Sequence, residues 1–295
     1  MNKKAITAGV LSVLAIVSTI FGFGTANSSQ KSNVTKYKNW MSSIADNTEL
    51  KDINIPGSHD TMALYSIADL AGKCQSLSLS DQLNLGIRFL DIRLQLYENE
   101  LRAVHGIVDE KASFKEIIIT IQSFLELNSS EFIIMSIKNE ADPVKSTISF
   151  EDALKKHVTP YWLTGDTMPD KLTSDIRGKV LLLSRYENST IGVPAYNGWQ
   201  DNASFTLPNG IYVQDEYKVK DISSKKTSIE NCFTHDGLKI NFLSGYKTNG
   251  FPPSYAPSVA NEINPWINNK IKSVTNRGIV LYDFVTSNLM KGWFE

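Results

Sequence analysis

The stretch Gly-Ile-Arg-Phe-Leu-Asp-Ile-Arg-Leu at residues 86–94 decides the fold. Its apolar and β-branched side chains predict a buried β-strand at residues 87–94. Asp91 and Arg93 interrupt the apolar run late in this strand, so both charged side chains are expected near its carboxyl end.

Similar short apolar segments recur along the chain, and most are followed by a helical pattern or a long polar loop. Apolar residues spaced by three and four positions predict an amphipathic helix from Phe114 to Leu127. Helices are also predicted at residues 150–157 and 259–274, whereas residues 186–209 indicate an irregular excursion. Together the segments favour a closed parallel α/β barrel of the (β/α)8, TIM-like type in a single domain. The other predicted strands are residues 53–55, 101–104, 132–137, 180–184, 211–213, 240–243 and 278–283.

Polar and charged residues lie at the ends of these predicted strands. Because the active sites of such barrels form at the carboxyl ends of the strands, these residues are candidates for one shared site. In chain order the candidates are His59, Asp60, Asp91, Arg93, His105, Lys138, Arg185, Asp215, Tyr217 and Asp283.

Two of the candidates, His59 and His105, are imidazoles, whose ordinary pKa lies near neutrality. One imidazole can therefore accept a proton while the other donates one. Arg93 offers planar, bidentate donors that match the oxygens of a phosphate group. Two imidazoles and one guanidinium are enough to cleave a phosphodiester, so the sequence predicts this chemistry without a metal.

The amino terminus has the pattern of a secretory signal peptide. A short cationic start precedes apolar residues 5–23, and small residues up to Ala26 fit a signal peptidase site. We therefore expect residues 1–26 to be removed and the protein to be secreted into the extracellular space. An uncleaved membrane anchor is the alternative, because the apolar stretch approaches membrane-spanning length. Residues 27–33 are predicted to be a flexible linker, and residues 34–295 the catalytic barrel.

Charge and cysteine content exclude several classes of protein. The 295 residues include 30 basic and 31 acidic side chains, a formal net charge of −1, so binding to nucleic acid is not expected. Cys74 and Cys232 are the only cysteines, too few for a disulfide scaffold and not in metal-ligand spacing. An oxidising compartment would permit a bridge between them, but the sequence does not decide whether one forms.

A series of motifs, in order along the chain, resembles those of the secreted bacterial phosphatidylinositol-specific phospholipases C. The resemblance covers essentially the whole chain after the leader. Eight motifs in the same order are specific evidence for the family, whereas a single motif would be weak evidence. It implies a distorted (β/α)8 barrel and cleavage of phosphatidylinositol to diacylglycerol and inositol 1,2-cyclic phosphate, the reaction of a phosphatidylinositol diacylglycerol-lyase. The motifs are INIPGSHDT at 53–61, GIRFLDIRL at 86–94, VHG at 104–106, SSEFIIMSIKNE at 129–140, RGKVLLLSRY at 177–186, VQDEYKV at 213–219, NFLS at 241–244 and GIVLYDF at 278–284.

The resemblance implies roles for the two histidines. His59 matches the general base that takes the proton from the inositol 2-hydroxyl, and His105 matches the general acid that protonates the leaving oxygen. Asp283 would orient His59, and Asp60 would assist His105. Many relatives carry two successive histidines where this chain has Val104 and His105. Val104 in place of the first histidine changes the side chains that support the acid, but the acid itself, His105, is present.

The resemblance also implies how the phosphate and the inositol ring are bound. Arg93 would bind the phosphate, and Asp91 would position Arg93. Eukaryotic relatives place a calcium-binding carboxylate at the match to Arg93, and a fixed guanidinium would compete with Ca²⁺ for that location. No metal and no other cofactor is therefore expected. The inositol-binding matches are Lys138, Arg185 and Asp215 through hydrogen bonds and Tyr217 through stacking.

Contact with the lipid surface is a further expectation. A phospholipase meets its substrate at an interface, where exposed aromatic and aliphatic side chains commonly partition. Relatives often place tryptophans in two stretches near the barrel mouth, and this chain has none there. We therefore expect weak, peripheral membrane contact. The protein is also expected to be a monomer. Packing of these side chains on the barrel is the alternative. The stretches contain Met62, Leu64, Tyr65 and Ile67 on a short helix, and Tyr246, Phe251 and Tyr255 in a Gly-Pro-rich loop.

Two other functions remain open at this point. A glycerophosphodiester phosphodiesterase is also a barrel with two histidines, but its chemistry depends on carboxylate-bound metal, and this chain has no obvious ligand cluster. A non-catalytic inositide-binding protein with a decayed site is the second alternative. The joint presence of both histidines, Arg93 and Asp283 argues against decay.

Overall fold

A curled and mostly parallel β-sheet forms the centre of the molecule. The computed structural model describes residues 37–65, 72–168, 170–247 and 255–295, so the predicted signal peptide and linker lie outside the described residues. Within these ranges the strands are β1 (Ile55–Ser58), β2 (Phe89–Tyr97), β3 (Glu100–His105), β4 (Val108–Ser113), β5 (Ile133–Val144), β6 (Trp162–Leu163), β7 (Val180–Arg185), β8 (Val193–Pro194), β9 (Ser204–Thr206), β10 (Tyr212–Gln214), β11 (Lys218–Val219), β12 (Lys239–Phe242), β13 (Tyr246–Lys247) and β14 (Ile279–Tyr282).

The helices between the strands cover the outside of the sheet. The predicted helix from Phe114 to Leu127 is confirmed with the same bounds, and Ser113 and Glu116 form a capping box at its start. The helices predicted at 150–157 and 259–274 are confirmed with slightly different ends. None of the described helices is long and apolar enough to span a bilayer. They are α1 (Leu79–Asn84), α2 (Phe114–Leu127), α3 (Phe150–Lys155), α4 (Thr173–Ile176), α5 (Ile222–Phe233), α6 (Ala256–Lys270) and α7 (Ser287–Phe294), with 3-10 turns at Trp40–Ser43, Leu50–Asp52 and Ile271–Ser273.

The main sheet has the strand order β6-β7-β5-β2-β1-β14-β12-β10-β9. Pairing is parallel from β6 to β10, and β9 is antiparallel to β10. The prediction of a distorted TIM-like α/β barrel is confirmed. The expectation of a closed ring is wrong for the described part of the chain, where β6 and β9 end the path without pairing to each other.

The third predicted strand, at residues 101–104, is not a barrel strand. It lies in β3, which folds back antiparallel onto β2 so that Leu94 pairs with Ala103. The turn between the two strands contains Glu98 and Asn99, both with positive φ, at 51° and 66°. Two successive left-handed residues make the tight turn that matches the twist of a hairpin. His105 therefore reaches the barrel mouth on a hairpin added to β2.

The two faces of the barrel strands bury different clusters. Successive side chains of a strand point to opposite faces. On β2, Leu90 and Ile92 point outward and belong to the cluster that includes Ile117 of α2. Phe89 points inward and belongs to a second apolar cluster that fills the barrel interior. The interior is thus a packed core and not a pore.

A buried ion pair lies at the amino-terminal end of the strands. Arg88 and Glu131 are fully buried, and their charged groups are 2.8 Å apart. Arg88 also donates hydrogen bonds to the backbone carbonyls of Lys38 and Leu83, while Glu131 accepts one from the backbone N–H of Met41. The pair therefore connects the starts of β2 and β5 to the amino-terminal 3-10 turn.

Replacement of Glu131 by glutamine is expected to lower the free energy of unfolding by about 3–5 kcal/mol, because Arg88 then stays buried without its counter-ion. Glu230→Gln is the matched control, since the Glu230–Lys270 pair is more than 40% exposed on both sides. The control should cost less than about 1 kcal/mol. Urea unfolding measures both values. Equal losses in the two variants would contradict the role given to the buried pair.

Candidate active site

Charged side chains line the carboxyl end of the barrel interior because they continue the inward positions of the strands. On β2 the inward side chains change from Phe89 to Asp91 and then Arg93. The parallel register places Arg93 beside Lys138 of β5, and Lys138 beside Arg185 of β7. A cleft of about 910 Å³ opens over this charged row.

The structure brings all of the predicted catalytic and inositol-binding residues to this cleft. Asp60 and Asp91 are buried beneath it, with exposures of 1% and 0%. The site residues are far apart in the sequence, and the parallel register of the strands brings most of them together. The other predicted residues line the cleft, namely His59, Arg93, His105, Lys138, Arg185, Asp215, Tyr217 and Asp283.

His59 directly follows β1 and lies between a carboxylate and a guanidinium. Its Nδ1 is 2.7 Å from Oδ1 of Asp283, and its Nε2 is 2.8 Å from Nη2 of Arg93. Because a guanidinium nitrogen only donates, Nε2 accepts, and Nδ1 carries the proton that is donated to Asp283. Burial lowers the pKa of His59, but Asp283 raises it by more, so the pKa lies above its ordinary value. The imidazole thus offers a lone pair at Nε2 and is stabilised once protonated.

Asp91 is the buried anion beneath the charged row. Its Oδ2 accepts hydrogen bonds from Nη2 of Arg93 at 3.2 Å and from the backbone N–H of Asp60 at 3.1 Å. Its Oδ1 accepts one from Nη1 of Arg185 at 3.2 Å. Burial alone would raise the pKa of Asp91, but Arg93 and Arg185 hold it well below its ordinary value. Asp91 therefore stays ionised and fixes two guanidinium groups and one loop.

His105 approaches Asp60 from the β3–β4 hairpin. Its Nδ1 donates a hydrogen bond to the backbone carbonyl of Gly72 at 2.5 Å, and its Nε2 is 3.4 Å from Oδ2 of Asp60. Asp60 has a left-handed backbone, with φ of 40°, at the sharp turn after His59. Burial raises the pKa of Asp60, although Arg93 and His105 oppose the rise. Nε2 of His105, the ring nitrogen not bonded to Gly72, thus faces the carboxylate of Asp60.

The opposite wall of the cleft combines an aromatic ring with charged groups. The guanidinium carbon of Arg185 is 3.6 Å from the ring centroid of Trp199, and Nε1 of Trp199 donates to Asp215 at 3.0 Å. The hydroxyl of Tyr217 donates to Asp201 at 2.5 Å. This wall presents several donors and acceptors beside a flat apolar face, as the recognition of a polyhydroxylated ring requires.

Several residues that the sequence analysis missed belong to the site. Glu140 pairs with Lys138 at 2.7 Å and contacts Arg93 at 3.6 Å. It lies two residues beyond Lys138 on β5, so the alternating pattern of a longer strand would have found it. Trp199 lies in the irregular excursion, where no periodicity marks it. The carbonyl of Gly72 carries no sequence signal at all.

The predicted membrane-contact residues differ in exposure. Tyr65 and Tyr246 are 41% and 37% exposed. Met62 is buried in the core cluster, so its expected membrane contact is wrong, because residues 60–62 form a turn against the barrel and not a helix. Ile67 and Phe251 lie outside the described residues.

Among the residues that the structure describes, two groups of three potential metal ligands lie at the cleft. One consists of His59, Cys74 and Asp283, and the other of Asp60, Cys74 and His105; within each group the ligand atoms are within 4.8 Å of one another. Both groups are poor in oxygen ligands, whereas Ca²⁺ takes six to eight of them. The donor set does not fit a hard cation.

Comparisons with known proteins show the family of this chain. The family model described as phosphatidylinositol-specific phospholipase C, X domain, matches residues 48–186. The 1-phosphatidylinositol phosphodiesterase of Listeria monocytogenes is 31% identical over 279 residues, which cover 88% of this chain and 85% of the relative. The Staphylococcus aureus protein of the same name is 28% identical over 305 residues, covering 92% and 90%.

Solved structures share the fold. A double mutant of the phosphatidylinositol-specific phospholipase C from S. aureus superimposes with a TM-score of 0.75 at 27% identity, covering 88% of this chain and 98% of that one. The L. monocytogenes enzyme gives 0.71 at 27% identity, covering 87% and 98%. Another S. aureus structure, described under modulation of that enzyme's membrane binding, gives 0.73 at 26% identity, covering 88% and 98%.

Replacement of Asp283 by asparagine is expected to move the pKa of His59 below its ordinary value of about 6.5. The variant loses the carboxylate that raises the pKa, while burial and Arg93, which lower it, remain. NMR titration of the His59 imidazole measures the shift. Asp236→Asn, an exposed carboxylate before β12, is the control and should leave the pKa unchanged. An unaltered pKa in Asp283→Asn would refute the pairing.

Proposed function

The chain belongs to the bacterial phosphatidylinositol-specific phospholipases C, and from this premise we propose that it cleaves phosphatidylinositol to diacylglycerol and inositol 1,2-cyclic phosphate. One observation carries the mechanism: two differently held imidazoles flank a single guanidinium. Nε2 of His59 is 2.8 Å from Arg93, and Nε2 of His105 faces Asp60, whose Oδ2 is 3.5 Å from Arg93. A phosphate bound to Arg93 would thus lie between an acceptor and a donor of protons.

His59 acts as the general base. Its Nε2 takes the proton of the inositol 2-hydroxyl while that oxygen attacks phosphorus and closes the cyclic phosphate. The N–H of Arg93 that points at His59 turns to a phosphate oxygen when substrate binds. Asp283, held 2.7 Å from Nδ1, stabilises the imidazolium and keeps the ring in the tautomer that accepts at Nε2.

His105 acts as the general acid. The bond between phosphorus and the glycerol oxygen breaks, and that oxygen takes a proton from Nε2 of His105 and leaves as diacylglycerol. Asp60 supports this step because its Oδ2 lies 3.4 Å from Nε2 of His105 and orients the nitrogen that donates the proton. His59 gains one proton and His105 loses one, so the pair conserves its total charge through the reaction.

Arg93 takes the place that a catalytic metal has in other phosphodiesterases. Asp60, Asp91 and Glu140 contact its guanidinium and raise its pKa, although burial opposes the charge. Two of these carboxylates, Asp91 and Glu140, are therefore already paired with fixed cations. The proposed reaction proceeds without calcium, and the guanidinium neutralises the charge that develops on the phosphate oxygens.

The inositol ring lies against the opposite wall of the cleft. Lys138, Arg185 and Asp215 donate to and accept from its hydroxyls, and Tyr217 stacks on its apolar face. Trp199 supports this wall because its ring lies against Arg185 and its Nε1 bonds to Asp215. Buried polar groups aligned in this way favour a substrate that satisfies them and disfavour lipid headgroups without a polyol ring.

Delivery of the enzyme to its substrate requires two further features. The amino-terminal leader at residues 1–26 directs secretion, and the barrel at residues 34–295 acts at the outer face of a membrane as a monomer. Tyr65 and Tyr246 lie exposed near the cleft mouth and enter the lipid interface. The S. aureus relative studied for its membrane binding supports peripheral contact of this kind.

Alanine at His59 or at His105 is expected to lower the turnover of phosphatidylinositol by about 10²- to 10⁴-fold, the usual contribution of a general base or acid. Phosphorus NMR in excess EDTA follows the substrate and the cyclic phosphate product. His235→Ala, which removes an exposed imidazole, is the control and should retain full activity. Absence of the cyclic product would refute the proposal, and loss of activity on chelation would favour a metal-dependent glycerophosphodiester phosphodiesterase.

The double variant Tyr65→Ser and Tyr246→Ser is expected to bind phosphatidylinositol vesicles several-fold more weakly, because two rings that partition into the interface are lost. Leu127→Ser is the matched control. It also removes an exposed apolar side chain, 85% exposed, but at the end of α2 that precedes β5 and therefore far from the cleft mouth. Co-sedimentation compares the three proteins. Equal weakening in both variants would contradict the proposed membrane face.

A further inference from the structure

Cys74 lies in the wall of the cleft between the two proposed proton carriers. Both cysteines are free and buried, and Cys74 is 1% exposed. Its backbone is fixed on both sides, since its N–H donates to Ala63 at 2.9 Å and its carbonyl accepts from Phe284 at 2.7 Å. The backbone that carries the thiol is therefore held in place, and the thiol itself is buried.

The thiol shares its surroundings with a carboxylate oxygen that lacks a hydrogen bond. Oδ2 of Asp60 is buried and accepts no hydrogen bond from the described residues. Nε2 of His105 lies 3.4 Å from this oxygen, and Nε of Arg93 lies 3.5 Å from it. A buried carboxylate oxygen without a hydrogen bond is uncommon and indicates a place for a ligand.

His105 is held in the form that a metal ligand requires. Its Nδ1 donates to the carbonyl of Gly72, so in the neutral ring Nε2 carries the free lone pair. Metal-bound histidines in proteins almost always donate their other ring N–H to a carboxylate or a backbone carbonyl in this way. Gly72 lies two residues before Cys74, so one short segment supplies both the carbonyl and the thiol.

We propose that Asp60, Cys74 and His105 form an inhibitory site for Zn²⁺. Their ligand atoms are within 4.8 Å of one another, and the 3.4 Å between Asp60 and His105 matches neighbouring ligands of a tetrahedral ion with bonds of about 2.0–2.3 Å. A thiolate, an imidazole and one carboxylate favour Zn²⁺ over Ca²⁺ or Mg²⁺. The fourth position faces the cleft, because His105 is 27% exposed there.

Binding of the ion would have two consequences. Zinc on Nε2 of His105 occupies the nitrogen from which the leaving oxygen takes its proton, so turnover stops; this consequence rests on the proposed function, whereas binding does not. A thiol must lose its proton to bind a metal ion, so zinc affinity falls as the pH is lowered.

The first test measures phosphatidylinositol cleavage at buffered concentrations of free Zn²⁺ or Ca²⁺. Zn²⁺ is expected to inhibit the enzyme, and Ca²⁺ at equal concentration is not. Cys74→Ala should retain turnover in the absence of zinc but require at least ~10-fold more zinc for inhibition, since even outer-shell changes cost a site this much affinity. Cys232→Ala removes the other buried thiol and should match the unaltered enzyme. Equal zinc sensitivity in Cys74→Ala would overturn the proposal.

The second test does not depend on activity. Co²⁺ replaces Zn²⁺ in such sites, and its bond to a thiolate produces a charge-transfer absorption band in the near ultraviolet. The unaltered protein and Cys232→Ala should show this band at one Co²⁺ per chain, and Cys74→Ala and His105→Ala should not. A band that persists in His105→Ala would refute the assigned ligands. A band in a protein that does not cleave phosphatidylinositol would preserve the metal site and refute the proposed function instead.

Discussion

The buried carboxylate of Asp91 is the group on which the rest of the site depends. The sheet register places three cations in a row, Arg93, Lys138 and Arg185, and like charges at this spacing repel one another. Asp91 compensates two of them directly, and Glu140 compensates the third at 2.7 Å. Without these anions, the free-energy cost of burying the guanidinium groups of Arg93 and Arg185 would far exceed the gain from their packing.

Asp91 also organises the loop that carries Asp60. Its Oδ2 accepts the backbone N–H of Asp60, at a residue with a left-handed conformation. A left-handed backbone is unfavourable for a residue other than glycine unless hydrogen bonds hold that backbone in place. The Asp91 carboxylate therefore positions Arg93, the cation proposed to bind the phosphate. Through the turn after His59 it also positions the carboxylate of Asp60, which faces His105. Loss of the Asp91 carboxylate would therefore disturb the surroundings of both His59 and His105.

The alternation of side chains along the strands explains how much the sequence reveals. Inward positions on β2 change from Phe89 to Asp91 and Arg93, so the same period that predicts the strand also predicts which end carries the chemistry. This local rule does not hold for the hairpin, because the antiparallel return of β3 depends on the turn at Glu98 and Asn99. It also misses Trp199, since no periodicity links an irregular excursion to the wall that it completes. Contacts made by backbone carbonyls, such as that of Gly72, have no side-chain signature.

The two imidazoles differ most in what holds Nδ1, and this difference explains their separate roles. A carboxylate holds His59, which raises its pKa and stabilises the protonated ring, so His59 is suited to gain a proton. A neutral carbonyl holds His105, and its second nitrogen faces Asp60, a carboxylate whose pKa burial has raised. His105 therefore lacks the ionised partner on Nδ1 that stabilises the protonated ring of His59, and this difference fits its proposed role as the acid. The asymmetry follows from position in the fold. Asp283 directly follows β14 and His59 directly follows β1, two strands that pair in parallel. His105 ends β3 of the added hairpin, and its Nδ1 meets the backbone carbonyl of Gly72.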